Sequence, residues 1–431
     1  MFYIDKKLAL MENEGRPIKV GIVGAGQMGR TLVSQLVMIK GVTPTIVANR
    51  NEEKAINSFL NAGIKKDDIV VAFSVKQANA AIENNKFVAT PYSEIVTSAN
   101  LVDCIVDATG VPEVGATVAT SGIKNNKHMI MLNVETDVVI GPYLKSLAIK
   151  NNVIYTGSAG DEPGAVMELY SFANAIGFDV KVIGKGKNNK LDKSCTPDTV
   201  FSEAKRKNMS AKMLCSFKDG TKTMVEMSAM SNATGFVPDI IGAHGISSNV
   251  EGLNEKFKLK KDGGILNAHK VVEYVDGIAP GVFVTVYSDN PEFIKNMDYL
   301  TMGSGPLWTL YRPYHLCSLE TPISIARAII NKEATIQPLN GLVSECVAVA
   351  KRDLKANEKL DGIGGYTTYG TITTFKQSQK NNFVPYGLVN ENATALSDIK
   401  KGEILTWSNT SIDTTQLIYK LRKEQDKMKW D

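Results

Sequence analysis

The chain has 431 residues, of which 43% are hydrophobic, and its formal net charge is only +4. This length predicts two or three domains with a substantial core, and so mild a charge without a dense basic stripe argues against nucleic-acid binding. The five cysteines are scattered without a C-x-x-C pair, which favours reduced thiols and a cytoplasmic protein. No apolar run reaches the roughly 18 residues that a membrane span needs, and the first residues lack a signal-peptide core.

A polar N-terminal arm, residues 1–17, precedes a short apolar strand and a turn that fits the pattern G-x-G-x-x-G. In such a turn the first glycine permits a tight bend and the second leaves room for a pyrophosphate. The third lets the next helix, expected over residues 30–39, pack closely on the strand. The N-terminus of that helix would bind the phosphates. The predicted cofactor contacts in this turn are Gly24, Gly26, Gln27, Met28 and Gly29.

The second predicted strand, residues 44–48, ends in Asn49 and Arg50. An NAD site usually has Asp or Glu here, which accepts a hydrogen bond from the ribose 2′-hydroxyl. A neutral amide does not repel a 2′-phosphate, and a guanidinium can pair with it. Both residues are therefore predicted to contact NADP(H). The alternatives are that Arg50 is a solvated residue at a helix start, or that it stacks on adenine without deciding the cofactor.

Strands and helices continue to alternate up to about residue 150, with strands expected at 68–73, 87–90, 102–110 and 128–134 and a late helix at 144–150. This alternation predicts an α/β fold with a Rossmann-type doubly wound parallel sheet. Polar residues that leave parallel strands at their carboxyl ends lie over the cofactor crevice. Further cofactor contacts are therefore predicted at Thr109, Gly110, Asn133 and Glu135. An exposed turn with one N-cap is the alternative for residues 133–137.

From about residue 153 the pattern indicates an α+β catalytic domain. Asp161 and Glu162 lie in a glycine-rich turn and could face a metal or substrate hydroxyls, although helix capping explains them almost as well. Lys185, Lys187 and Asn188 lie at and beyond the end of a strand expected over 180–186, which should enter the cleft between the domains. A buried ammonium there could bind an oxyanion or protonate an alkoxide, because burial lowers its pKa towards a useful range. The alternative is a solvated loop.

A second group of polar residues lies further along the chain. Ser304, Arg312 and His315 offer a hydroxyl, a guanidinium and an imidazole, and are predicted to bind the anionic end of a substrate. A domain-joining turn with a structural histidine is the alternative. No His/Cys cluster has zinc spacing. A hard divalent ion on Glu203, Glu226 or Asp239 is conceivable, but nothing selects among them, so the metal ligands stay unknown.

The last part of the chain, from about residue 346, has short strands and Gly/Asn turns that predict a small β-rich unit. A phrase D-[LI]-K occurs at 353–355 and again at 398–400. The predicted domains are an NADP-binding domain at 1–155, a catalytic and dimerisation domain at 156–340, and the β-rich domain at 341–431.

Several phrases together resemble a known family. The stretches 133–137, 160–163, 185–188 and 350–365 are similar to those of the 1-deoxy-D-xylulose 5-phosphate reductoisomerase-like proteins. These join a homoserine-dehydrogenase-type NAD(P)-binding and catalytic architecture to a C-terminal SAF-like domain. The resemblance implies NADPH-dependent conversion of deoxyxylulose phosphate to 2-C-methyl-D-erythritol 4-phosphate, for isoprenoid synthesis, or of a related sugar or sugar acid. It also implies Mg or Mn, with Lys185 or Lys187 near the reacting oxygens.

Two other functions fit the same residues. A simple NAD(P)-dependent dehydrogenase of homoserine, a hydroxy acid or a sugar acid needs only the hydride step. A non-catalytic protein that binds NADP(H) or a carbohydrate would leave the lysines idle. The expected partners are a small anionic sugar-like substrate and a second copy of the chain, with no nucleic acid and no membrane.

Overall fold

A computed structural model describes residues 3–428 of the chain. These residues form two compact units. The first unit contains the described parts of 1–161, 316–337 and 415–429, and the second unit contains 162–315 and 338–414. The predicted boundaries at 155 and 340 stay predictions. The residues expected in the C-terminal domain are shared between the two units.

The strands are β1 Ile18–Val23, β2 Val42–Ala48, β3 Ile69–Val71, β4 Phe87–Thr90, β5 Cys104–Asp107, β6 His128–Met131, β7 Tyr155–Gly157, β8 Asp179–Lys187, β9 Ile246–Ser247, β10 Val271–Asp276, β11 Val282–Tyr287, β12 Leu307–Arg312, β13 Ser344–Ala350, β14 Thr368–Thr374, β15 Thr394–Ala395 and β16 Thr410–Ser411. The helices are α1 Ile4–Asn13, α2 Gln27–Leu36, α3 Glu52–Asn61, α4 Val75–Glu83, α5 Ser93–Ser98, α6 Pro112–Lys124, α7 Val134–Lys150, α8 Glu162–Ala175, α9 Phe201–Arg206, α10 Ala211–Lys218, α11 Thr221–Thr234, α12 Leu253–Lys256, α13 Pro291–Tyr299, α14 Thr321–Ala326, α15 Phe375–Lys380 and α16 Leu417–Gln425. No described helix combines the length and apolarity needed to cross a membrane.

The first unit is built on a seven-stranded sheet with the order β3-β4-β2-β1-β5-β6-β7. Every pairing in it is parallel. The order reverses direction between β1 and β5, which places the carboxyl ends of these two strands at the topological switch point where open α/β sheets bind ligands. The predicted α/β fold with a doubly wound parallel sheet is confirmed.

Helix α7 begins earlier than the sequence analysis predicts. Strand β6 ends at Met131, and Asn133 is the N-cap of a helix that runs from Val134 without a break. The Asn133 side chain accepts a hydrogen bond from the backbone N–H of Thr136, and Glu135 adds negative charge to the first turn. Both features stabilise a helix start. The predicted strand at 128–134 is therefore present but ends earlier, at Met131, and the predicted helix start at 144 is wrong.

The C-terminal helix α16 packs on α6 and α7 of the first unit. The Glu113 carboxylate accepts hydrogen bonds from the backbone N–H groups of Leu417 and Ile418, each at 2.9 Å. This carboxylate satisfies N–H groups that a helix start leaves without intrahelical partners. Residues 415–428 therefore belong to the same unit as the Rossmann sheet.

The second unit is built on a five-stranded sheet with the order β12-β11-β8-β10-β9. Strand β8 lies at its centre, antiparallel to β11 and parallel to β10, and Lys185 is paired with Val282 on one side and Tyr274 on the other. Helices α8 and α11 pack together against this sheet. The antiparallel strand pairs β13-β14 and β15-β16, which we call the C-terminal hairpins, also belong to this unit and agree with the small β-rich region expected there.

Candidate functional site

The glycine turn after β1 has the geometry of a dinucleotide-binding turn. Gly24 adopts a φ of 102°. A Cβ at Gly29 would lie 1.9 Å from the Gly24 carbonyl oxygen, so only glycine lets α2 approach the turn this closely. A Cβ at Gly26 would meet nothing within 4 Å, which leaves the approach to the N-terminus of α2 open. Gln27 and Met28 are exposed in the first turn of α2. These residues fit the pyrophosphate of a nicotinamide dinucleotide.

The end of β2 is tied to the glycine turn by Asn49. Its Oδ1 accepts from the Ala25 N–H at 3.2 Å, and its Nδ2 donates to the Asn51 carbonyl at 2.9 Å. Arg50 follows and is exposed. The end of this strand therefore carries a guanidinium and no carboxylate, as the sequence indicates.

The loop after β5 is organised by a buried amide. Asn133 Nδ2 lies 2.9 Å from Asp107 Oδ2, 3.2 Å from Thr109 Oγ1 and 3.0 Å from the Val111 carbonyl oxygen. Burial raises the pKa of Asp107 to about 6, against the hydrogen bonds from Thr109 and Asn133. Asn133 is thus committed to shaping this loop, and the exposed turn offered as its alternative is wrong because both Asn133 and Glu135 are buried. Gly110 continues the same loop with a φ of 64°.

In the second unit, Lys185 lies between two carboxylates. Its Nζ is 2.6 Å from Glu162 Oε1 at the start of α8 and also donates to Glu226 Oε2 on α11. All three side chains are at least 94% buried. Burial opposes the charge of Lys185, but the two carboxylates outweigh it and raise its pKa above the usual value. Glu226 lies far from Lys185 in sequence, so its role here escaped the sequence analysis.

Lys187 has the opposite electrostatic environment. It lies on the same face of β8 as Lys185, because side chains alternate along a strand. Its Nζ donates to the Phe217 backbone carbonyl at 2.8 Å, a neutral acceptor. Burial, followed by repulsion from the Lys185 ammonium, lowers its pKa from 10.5 to about 8. The expectation of a buried lysine near the end of this strand fits the structure, and the solvated-loop alternative does not.

The other predicted catalytic residues are placed differently. Asn188 is exposed just beyond the end of β8. Asp161 is 5% exposed and is the last residue of the first unit's N-terminal stretch, and Glu162 begins α8 in the second unit. Glu162 therefore contributes to the site through Lys185. It does not act as an exposed ligand.

The predicted anion site is not assembled. Ser304 is exposed before β12, on the side of the sheet where β8 begins, whereas Arg312 pairs through Val282 with the Lys185 end of β8. A strand of this length separates them by on the order of 20 Å. Arg312 Nη1 lies 3.3 Å from Glu168 Oε2, and His315 Nε2 lies 3.3 Å from Glu162 Oε1. His315 thus belongs to the Lys185 cluster, and Ser304 does not.

The three carboxylates considered for a metal all have cationic or imidazole partners. Glu203 pairs with Lys207 and Lys218 at 2.7 and 2.5 Å. Asp239 Oδ2 lies 2.7 Å from His244 Nε2, and Glu226 binds Lys185. Glu203 and Asp239 are therefore committed to these partners, whereas Glu226 lies with Glu162 in a buried carboxylate group whose oxygen atoms are close enough together to hold a metal ion.

Comparisons with known proteins agree with an enzyme. Residues 160–321 match the family model described as "Oxidoreductase DRL, catalytic domain". No curated protein sequence matches the chain significantly. The catalytic-domain match covers the β8 lysines, Glu162 and Glu226.

Solved dehydrogenase structures share a distant likeness. Scyllo-inositol dehydrogenase from Lactobacillus casei, with bound NAD(H) and scyllo-inositol, is 12% identical, with a TM-score of 0.42 over 75% of this chain and 92% of that one. A putative myo-inositol dehydrogenase from Sinorhizobium meliloti 1021 is 12% identical, with a TM-score of 0.40 over 73% and 90%. Likeness at this level says nothing about the substrate. The chain is an oxidoreductase, and the stretch that matches the catalytic-domain model contains Lys185 and Lys187.

Proposed function

We propose that the chain is a nicotinamide-dependent dehydrogenase that interconverts an alcohol and a carbonyl on a small sugar-like substrate, with Lys187 as proton donor and acceptor. The observation that carries this proposal is the pair of buried lysines on β8. Two carboxylates hold Lys185 in its charged form, while burial brings the pKa of Lys187 to about 8. Groups whose environments drive their pKa values apart are candidates for acid–base roles.

Oxidation of an alcohol releases a hydride and a proton. The nicotinamide, when bound, accepts the hydride. The neutral amine of Lys187 accepts the hydroxyl proton, and in the reverse direction its ammonium returns a proton to the developing alkoxide. Lys185 stays charged in both directions, and its field favours the negative oxygen that forms between these steps.

NADP(H) is the proposed cofactor. The open approach at Gly26 supports a pyrophosphate at the start of α2. The exposed Arg50 at the end of β2 supports pairing with a 2′-phosphate, since Asn49 brings no negative charge. The loop that Asn133 organises follows β5, at the switch point of the sheet.

A simple dehydrogenase is preferred to the reductoisomerase that the family resemblance implies. Skeletal rearrangement of a ketose phosphate would also require a divalent cation to polarise the vicinal oxygens. Glu162 and Glu226 both bind the Lys185 ammonium, which already neutralises part of their charge. The hydride step needs a nicotinamide and an acid–base group, and no divalent cation.

The proposal is tested by turnover. The protein is incubated with NADP⁺ or NAD⁺ and a panel of aldoses, polyols, sugar acids and homoserine, and in parallel with NADPH, Mg²⁺ and deoxyxylulose phosphate. We expect reduced nicotinamide to form with one of the first group and the product to keep its carbon skeleton. A rearranged skeleton, or cofactor binding without turnover on any of these compounds, contradicts the proposal.

A further inference from the structure

The second unit contains a pocket of about 400 Å³. Its walls come from the stretch 191–245, from β10 and from the C-terminal hairpins, including Tyr369 and Ile404. Lys185 and Lys187 do not line it. The pocket is within the size range of small-molecule sites, which are mostly apolar with a few fixed polar groups.

Three hydroxyl groups line this pocket on side chains that are more than nine-tenths buried. Tyr274, Tyr369 and Thr371 are 7%, 8% and 8% exposed. Within residues 3–428, none of these three hydroxyls has a protein hydrogen-bond partner. The three oxygens are accessible within the pocket, where each hydroxyl can donate and accept hydrogen bonds to a ligand.

The loop beside the hydroxyls is shaped to leave them room. Gly245, with a φ of 63°, passes so close to Tyr274 that a Cβ would lie 2.1 Å from the phenol oxygen. Gly242, with a φ of 80°, would place a Cβ 3.0 Å from Thr371 Oγ1. The Glu273 carboxylate accepts from the backbone N–H of His244 at 3.0 Å and so holds this loop in place. Glycine at positions 242 and 245 therefore leaves space for the hydroxyls of Thr371 and Tyr274.

The charged groups around the pocket are mostly satisfied within the protein. Asp219 Oδ2 pairs with the Lys351 ammonium at 2.8 Å, and its Oδ1 accepts from the Thr221 N–H. His244 Nε2 binds Asp239. Lys193 is exposed and lies over the Tyr369 ring, 5.5 Å from its centroid. The buried polar surface offered to a ligand is thus mainly hydroxyl.

Apolar side chains such as Met224 and Val349, which are 5% and 2% exposed, also line the pocket. A lining that combines hydroxyl groups with apolar side chains suits a molecule with several hydroxyls and a C–H face. We propose that this pocket binds one small uncharged polyhydroxy compound, of the size of a pentose, hexose or cyclitol. The C-terminal hairpins contribute Tyr369 and Thr371 and so complete the site.

The test measures binding by titration calorimetry and ligand-observed NMR, without nicotinamide cofactor, so that its failure is independent of the proposed dehydrogenase activity. The probes are D-xylose, D-glucose and myo-inositol, with glucose 6-phosphate as a charged comparator. We expect saturable binding of at least one uncharged probe, and weaker binding of the phosphate. No saturable binding of the uncharged probes overturns the proposal and leaves a pocket that holds water only.

Substitutions of pocket residues test whether the ligand binds in this pocket. Tyr274→Phe and Tyr369→Phe each remove one hydroxyl with little change in shape, and each should weaken binding about five- to tenfold, the effect of one neutral hydrogen bond. Tyr299→Phe is the matched control, because Tyr299 is 82% exposed, and it should bind like the wild type. Thermal unfolding checks that each variant is folded. Equal affinity in all three variants overturns the assignment to this pocket.

Discussion

Lys185 and Lys187 lie on the same face of β8, both buried, yet their environments shift their pKa values in opposite directions. The difference comes from their partners. Lys185 binds two carboxylates, and Lys187 donates to a neutral carbonyl beside a positive charge. One strand thus holds a permanent cation next to an amine that can exchange a proton at physiological pH.

The first prediction concerns the proton transfer. Lys187→Met should lower kcat at least about a hundredfold, since a positioned acid–base group contributes roughly 10²–10⁴-fold. The KM for NADPH should stay nearly unchanged. In the wild type, the rate of alcohol oxidation should rise with pH through about 8, because only the neutral amine accepts a proton. Steady-state kinetics against pH measure both effects.

The stability of the same variant separates catalysis from folding. The folded-state pKa of Lys187 is depressed from 10.5 to about 8, so the wild type loses stability at this residue as pH falls through that window. Methionine carries no charge, and Lys187→Met should therefore be no less stable than the wild type at neutral pH, apart from the lost bond to Phe217. A variant that unfolds at neutral pH would contradict the assigned environment.

The second prediction concerns Lys185. Lys185→Met removes the cation that Glu162 and Glu226 share and should lower the free energy of unfolding by about 3–5 kcal/mol, measured with chemical denaturant. It should also move the rising limb of the pH–rate profile for alcohol oxidation to higher pH, because the Lys185 charge that helps to lower the pKa of Lys187 is gone.

Lys181→Met is the control on the same strand. Lys181 pairs at 2.5 Å with the half-exposed Asp179, so this variant should cost no more than about 1 kcal/mol. It should leave the pH profile in place. Similar losses in the two variants would show that the buried triad has no special role.

The third prediction concerns a side chain that replaces a missing backbone hydrogen bond within helix α7. Pro142 lies inside α7, and near it the Tyr143 N–H donates to Gln425 Oε1 while Gln425 Nε2 donates to the Val139 carbonyl, both at 2.9 Å. These two backbone groups would pair with each other in a regular helix. Gln425→Ala should therefore destabilise the protein by about 1–3 kcal/mol. Gln379→Ala, an exposed glutamine of α15, should have almost no effect on the denaturant midpoint.

The fourth prediction concerns the cofactor. Arg50→Ala should raise the Kd for NADPH about tenfold, the loss of one charge-assisted contact at an exposed site, and change that for NADH less than about twofold. Fluorescence titration of each cofactor measures this directly. Arg206→Ala removes an exposed arginine of the second unit and should alter neither. If Arg50→Ala weakened the binding of NADPH and NADH equally, Arg50 would not pair with the 2′-phosphate.

The Rossmann sheet could be predicted from local patterns, namely the glycine turn and the βα alternation. The β8 lysines could be predicted because they lie at the end of a recognisable strand. The partners of Lys185 could not, since Glu226 comes from a distant helix and only tertiary packing brings it to the strand. Asn133 shows a signal that was present but misinterpreted: its N-cap chemistry marked the start of α7. Ser304 was grouped with Arg312 because β12 was not recognised, and that strand separates them.

The central claim is best tested by titrating Lys187 itself, which needs no substrate. The protein is labelled with ¹³C at the lysine ε-carbon, and the resonance absent from Lys187→Met is followed by NMR against pH. We predict a midpoint near 8 for this resonance, and none in the same range for the one absent from Lys185→Met. A Lys187 midpoint near the ordinary 10.5 would contradict the acid–base assignment.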